Sequence, residues 1–177
     1  MSKRKDIVPT EKEIVMRDDE FIVSKTDVKG RITYVNQVFI DFSGYAEDEL
    51  IGIQHNVIRH PEMPRGVFKL LWSAIADGQE IFAYVKNMCK DGSYYWVLAN
   101  ITPSVDVNGA TVGYYSVRRK ANPRAIPIVT DLYRKMLAAE RQAGARDATA
   151  ASLDLMQQVI NEKGLNYEEF VLSLQSI

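Results

Sequence analysis

The chain has 177 residues, 46% hydrophobic and 25% charged, which is the balance of one folded domain with appendages and enough length for a real core. Its 22 Lys and Arg against 23 Asp and Glu leave a net charge of -1, so no global field favours nucleic acid. The basic run Met1-Ser2-Lys3-Arg4-Lys5-Asp6 is followed by no apolar targeting segment, no window approaches the ~18 apolar residues of a membrane span, and lone Cys89 offers neither a disulfide framework nor zinc spacing. A soluble, cytoplasmic protein is expected.

A charged leader runs over residues 1–19. From Glu20 the alternation of Phe21 and Val23 predicts a strand, Asp27-Val28-Lys29-Gly30 a turn, and Ile32 and Tyr34 a returning strand. The period then changes. Val38, Phe39 and Phe42 before Gly44 predict one short helix, and Ala46 to Ile51 before Gly52 another.

A polar loop follows, His55-Asn56-Val57-Ile58-Arg59-His60-Pro61-Glu62-Met63-Pro64, holding both histidines of the chain. Each Pro fixes its own φ and pushes the preceding residue out of the helical region, so His60 and Met63 are expected extended, while Arg59 offers a planar fork suited to an anion. Pro64 sits where a first helical turn tolerates it, and Phe68, Leu71, Trp72 and Ile75 recur at helical spacing until Asp77-Gly78.

Three further strands are predicted at Glu80 to Asn87, Tyr94 to Pro103 and Thr111 to Arg119, separated by Lys90-Asp91-Gly92-Ser93 and Asp106-Val107-Asn108-Gly109. The order β-β-α-α-α-β-β-β predicts an α+β fold with a five-stranded antiparallel sheet, helices on one face and a cupped pocket between. The body is placed at residues 20–120 and a helical extension at 121–177. In that extension Ile126, Val129, Leu132, Tyr133, Met136 and Leu137 form one stripe. Ala143-Gly144 breaks it, and Leu153, Met156, Val159 and Ile160 form a second before Gly164 and the segment from Tyr167 to Leu174.

The order of elements resembles a PAS domain. The strings Val35-Asn36-Gln37-Val38-Phe39, Ser43-Gly44-Tyr45, Glu49-Leu50-Ile51-Gly52, His55-Asn56-Val57-Ile58-Arg59-His60-Pro61, Val85-Lys86-Asn87, Lys90-Asp91-Gly92 and Tyr95-Trp96-Val97-Leu98-Ala99-Asn100 resemble the PAS domain of the bacterial aerotaxis receptor (Aer) group. The resemblance covers roughly residues 18–119. It implies non-covalent FAD and a redox-reporting role, and by matching motifs it carries FAD contact over to Asn36, Arg59, His60, Phe68, Trp72 and Asn87. Two positions depart from the group: Glu62 stands where relatives have Asp, and Ile81 where Aer has Trp.

The residues suit that implication. A flavin ring is flat and largely apolar with a hydrogen-bonding edge, so it needs an apolar slot, aromatic faces and Asn-type partners. Asn36, Asn87 and Asn100 offer both donor and acceptor, Phe68 and Trp72 share a helix face, and Arg59 and His60 suit a pyrophosphate or ribose. Plainer roles stand beside these: Phe68 and Trp72 as core, Asn36 as a helix cap, Asn87 as a strand end and His60 as a loop residue.

Other readings stay open. Heme would need His55 or His60 as axial ligand. A cofactor-free interaction module would use the leader segment Ile14-Val15-Met16 and the tail stripes, unless those helices pack on their own sheet. Cys89 lies at a strand end, away from where a photoreceptor of this fold holds its reactive cysteine. No phosphate loop, nucleophile pair or paired-carboxylate motif points to an enzyme. The resemblance implies a separate sensory subunit that signals to a membrane-bound methyl-accepting transducer or another signalling protein, with a homodimer as a further possibility. The outer sheet face, leader and tail are the expected docking surface.

Overall fold

The computed structural model describes residues 7–177, so the basic run at 1–6 lies outside the described residues. Strands β1 (Ile22–Thr26) and β2 (Ile32–Val35) form the expected hairpin. Asp27 Oδ1 accepts the backbone N–H groups of Lys29 and Arg31 at 2.8 Å each, and Gly30 takes the positive φ of 76° that closes the turn. The alternation marks the strands, and the structure assigns their faces: Ile22, Ser24 and Ile32 are buried, whereas Phe21 is 49% exposed. A period of two says which residues share a face, not which face is inside.

Helix α1 (Gln37–Ser43) begins at Asn36 and ends at Gly44 in the left-handed conformation. Helix α2 (Glu47–Leu50) and a 3-10 turn (His55–Ile58) lead to α3 (Arg65–Ala76), which buries Val67, Leu71 and Ile75. Strands β3 (Ile81–Met88), β4 (Tyr94–Val105) and β5 (Thr111–Lys120) complete a five-stranded antiparallel sheet in the order β2-β1-β5-β4-β3. This is the α+β architecture expected from the sequence.

Register assigns the two faces. Ala99 pairs with Arg118 and Ser24 with Ser116, so these side chains point to the inner face, toward α1 and α3. Tyr84 pairs with Leu98 and Phe82 with Asn100 on the outer face.

Two helices follow the sheet, α4 (Ala125–Asn161) and α5 (Tyr167–Ser173). Gly144 interrupts α4 with φ 74° and ψ 173°, at the break legible in the sequence. The first half of α4 buries Val129, Leu132, Tyr133 and Met136 and lies over β3 and β4, where the Trp96 and Tyr133 rings are 6.2 Å apart. The Tyr133 hydroxyl donates to the Tyr84 carbonyl at 2.7 Å and the Tyr167 hydroxyl to the Phe82 carbonyl at 3.1 Å. The free edge of β3 is thereby closed by phenols rather than left as a template for another strand.

The tail helices therefore pack on their own sheet. The expected docking surface is corrected accordingly: the outer face at β3 and β4 is covered from within the chain. The leader is also tied down, with Thr10 N–H donating to the Gly92 carbonyl (2.8 Å) and Ile14 N–H to the Tyr94 carbonyl (2.7 Å), and with Met16 buried. That approach needs Gly92, since a Cβ there would lie 2.2 Å from the Val8 carbonyl oxygen.

Candidate functional site

Between the inner sheet face, the 54–59 loop and α3 lies a cavity of about 170 Å³. Its apolar wall comes from Ile58, Phe68, Leu71, Ile75, Val85 and Ile101. The helical spacing of Phe68, Leu71, Trp72 and Ile75 puts all four on the cavity side of α3, while the sheet supplies every second residue of β3, β4 and β5.

Four of the residues singled out from the sequence meet here: Arg59, Phe68, Trp72 and Asn87. The Arg59 guanidinium lies over the Phe68 ring, 4.2 Å from its centroid, and Nη2 donates to the Met63 carbonyl at 2.8 Å. A short antiparallel bridge joins Arg59 to Asn87, stapling the loop to β3. Trp72 stands at the mouth, 40% exposed, edge-on to Tyr114 at 5.5 Å. It also packs on the β1–β2 turn, where a Cβ on Gly30 would come within 3.0 Å of the indole.

The other three lie elsewhere. Asn36 is a cap: Oδ1 accepts from Phe39 N–H and Val23 N–H, and Nδ2 donates to the Phe21 carbonyl, so its hydrogen-bonding groups are engaged by backbone. His60 is 2% exposed, accepts the Glu62 N–H at Nδ1 and meets the Tyr94 ring edge-on. Burial, then the nearby Lys86 charge, pushes its pKa down to about 4, so it is a neutral clamp of the loop. Asn100 is on the outer sheet face, where Nδ2 donates to Glu80 at 3.0 Å. It shares a face with Phe82, not with Asn87.

Sequence reading missed Arg118 and gave His55 a place in the loop and a role only as a heme ligand. Both line the cavity. Arg118 Nη2 donates to Ser24 Oγ at 2.6 Å and to His55 Nε2 at 2.7 Å. Burial, then the guanidinium charge, holds the His55 pKa at about 3, leaving a neutral ring that accepts at Nε2. Burial lowers Arg118 to about 10, so it keeps its proton at neutral pH. Among the described residues the ion pairs to carboxylates do not include Arg118. The cavity therefore ends at a buried, uncompensated positive charge.

Among the described residues, three buried polar atoms have no hydrogen-bond partner within ordinary geometry: Asn87 Nδ2, Arg118 Nη1 and the Tyr95 hydroxyl. Native interiors rarely leave such donors unmet, and two of these belong to cavity-lining side chains. The arrangement suits a flat, mostly apolar ligand with a carbonyl-bearing edge, and it favours added negative charge on that ligand.

A heme suits the site poorly, because His55 Nε2 is taken by Arg118 and His60 lies off the cavity. Among the described residues no cluster of three or more His, Cys, Asp or Glu is placed to hold a metal ion. Cys89 is buried and donates Sγ–H to the Phe42 carbonyl, away from the cavity lining.

A family model described as PAS fold matches residues 32–118. The aerotaxis receptor of Escherichia coli (strain K12) is 38% identical over 127 residues, covering 72% of this chain and 25% of that protein. A nitrogen fixation regulatory protein of Klebsiella pneumoniae is 27% identical over 97 residues, covering 55% of this chain and 20% of that protein. The chain thus spans a quarter or less of the length of these relatives. Among solved structures, the light state of the blue-light photoreceptor Aureochrome1 LOV superposes with a TM-score of 0.54 at 24% identity, over 64% of this chain and 90% of that one. A light-oxygen-voltage domain studied with a flavin analogue superposes with a TM-score of 0.53 at 24% identity, over 70% of this chain and 87% of that one. These superpositions establish the fold; the matched segment of the chain is a PAS domain, and its sequence places it with the PAS domain of the aerotaxis receptor.

Proposed function

We propose that the cavity binds a flavin, specifically FAD, and that the chain is a redox sensor of aerotaxis-type signalling without catalytic activity of its own. The observation that carries this reading is the pair of unmet donors, Asn87 Nδ2 and Arg118 Nη1, on an otherwise apolar, aromatic-walled cavity. Similarity to a protein named for aerotaxis and to a domain studied with a flavin analogue supports it.

In this reading Asn87 and Arg118 hold the carbonyl edge of the ring, and Phe68, Ile75, Val85 and Ile101 enclose its apolar body. Arg59, at the loop end of the cavity, faces the phosphates. The cavity of about 170 Å³ opens at Trp72 and is smaller than the ~300–1,000 Å³ of ordinary ligand sites, so in this reading a tricyclic ring enters with outward movement of Trp72 and the loop. Bound flavin supplies a redox centre whose reduced form carries added negative charge. Arg118 favours that charge, and His55, already neutral, adds none to oppose it.

The state of the site passes to a separate protein, a membrane-bound methyl-accepting transducer or another signalling partner, with self-association as a further possibility. Among the described residues no helix is long and apolar enough to cross a membrane, and we place the chain in the cytoplasm.

Heat release of the bound cofactor from purified protein, followed by chromatography, tests the reading. Release of FAD is expected; FMN would change the cofactor, and heme would replace the reading altogether.

A further inference from the structure

The first turn of α3 is held by the tail rather than by a cap of its own. A helix start leaves backbone N–H groups without partners, and Pro64 at the N-cap has no side chain to meet them. Glu140 Oε1 accepts the Arg65 N–H at 2.6 Å and the Gly66 N–H at 3.4 Å, and Ser152 Oγ accepts the same Gly66 N–H at 3.0 Å. A carboxylate at this end also meets the positive pole of the helix.

Glu140 and Ser152 come from opposite sides of the Gly144 kink, so both halves of α4 converge on one helix end. Gly66 makes the approach possible: a Cβ there would lie 2.4 Å from Ser152 Oγ and 3.0 Å from the Leu153 nitrogen. The same helix carries Phe68, Leu71, Trp72 and Ile75 into the cavity. One rigid element thus has the tail on its end and the cavity on its side.

We propose that Glu140 and Ser152 are positioning residues that couple docking of the tail to filling of the cavity. A filled cavity tightens the tail, and a released tail loosens the cavity, because coupling between two sites is reciprocal. Gly144 is the natural hinge, since its backbone conformation interrupts the helix and nothing lies within 4 Å of the Cβ position. The ligand half of this proposal rests on the flavin reading; the coupling of α3 to the tail does not.

Hydrogen exchange on the full chain, with and without FAD, tests both halves separately. In the wild-type protein FAD slows exchange across 145–161 as well as in α3. In Glu140→Gln and Ser152→Ala the FAD-induced protection of 145–161 is reduced even at flavin saturation, and FAD affinity falls about fivefold, the lower end of ordinary coupling. FAD that binds and leaves tail exchange unchanged overturns the proposal. If FAD does not bind at all, the flavin reading falls, and Gly66→Ala in the ligand-free protein decides the coupling. Ala is the better helix former, so an independent α3 would exchange more slowly and the tail would be unaffected, which overturns the coupling. Faster exchange in both α3 and 145–161 is the expected result.

Discussion

Arg118 and His55 share a buried contact of 2.7 Å in which a cation is solvated by a neutral imidazole, with Ser24 as second acceptor at 2.6 Å. The contact exists only while His55 is unprotonated, and that gives the fold a pH dependence with a definite sign. His55 at about 3 and His60 at about 4 both lie below the usual 6.5 in the folded protein. The unfolded chain therefore binds more protons as pH falls through 6.5, and stability is lost from there downward. Each histidine contributes a loss of about 2 kcal/mol between pH 7 and pH 5. Urea unfolding at the two pH values measures it, and His60→Asn removes about half of the difference. A protein equally stable at both contradicts neutral, buried histidines.

Arg118→Met keeps most of the side-chain volume and removes the charge. In the flavin-bound protein the midpoint potential then moves to more negative values, because the reduced form loses its cation. A tenfold loss of preference for the reduced state is ~30 mV for a two-electron couple, and a shift of at least that size is expected. Reductive titration against dyes of known potential reads it; an unchanged or more positive potential shows that the charge is not felt at the ring.

Asn87 and Asn100 lie on adjacent strands and opposite faces. Asn87→Ala loses a donor to the ligand, about 1–3 kcal/mol of binding. Asn100→Ala, on the outer face, changes flavin affinity by less than ~0.5 kcal/mol. FAD titration of the two variants separates them. Equal losses would mean that the sheet faces are misassigned with respect to the ligand.

Tyr133→Phe leaves the buried Tyr84 carbonyl without its phenol donor. The expected destabilisation is about 1–3 kcal/mol, measured as a lower urea midpoint at unchanged slope. A neutral substitution would show that water replaces the phenol at this edge.

Much of this architecture was legible in the residues. Asp27-Val28-Lys29-Gly30, Gly44 and the break at Gly144 mark their turns and helix ends through local backbone chemistry, which short segments carry on their own. The faces were harder. The alternation of Phe21 and Val23 marks β1 as a strand without saying which phase is inside, and it is Ile22 and Ser24 that take the inside. Arg118 escaped notice for a related reason: Tyr114, Ser116 and Arg118 form a polar stripe that alternation assigns to water, whereas here the inner face lines a polar cavity. That stripe, facing a loop that holds both histidines, was the available signal. Asn36, Asn87 and Asn100 are alike in sequence, and only register separates a cap, a cavity donor and an outer-face residue. The tail's docking on β3 and α3 depends on contacts such as Glu140 with Arg65, distant along the chain and invisible to periodicity.

The most direct test is reconstitution of the purified chain with FAD, read by absorption after removal of free cofactor. Flavin bands near ~370 and ~450 nm at about one FAD per chain, depleted in Asn87→Ala and retained in Asn100→Ala, are the result this account predicts. A wild-type protein that stays colourless after reconstitution would contradict it.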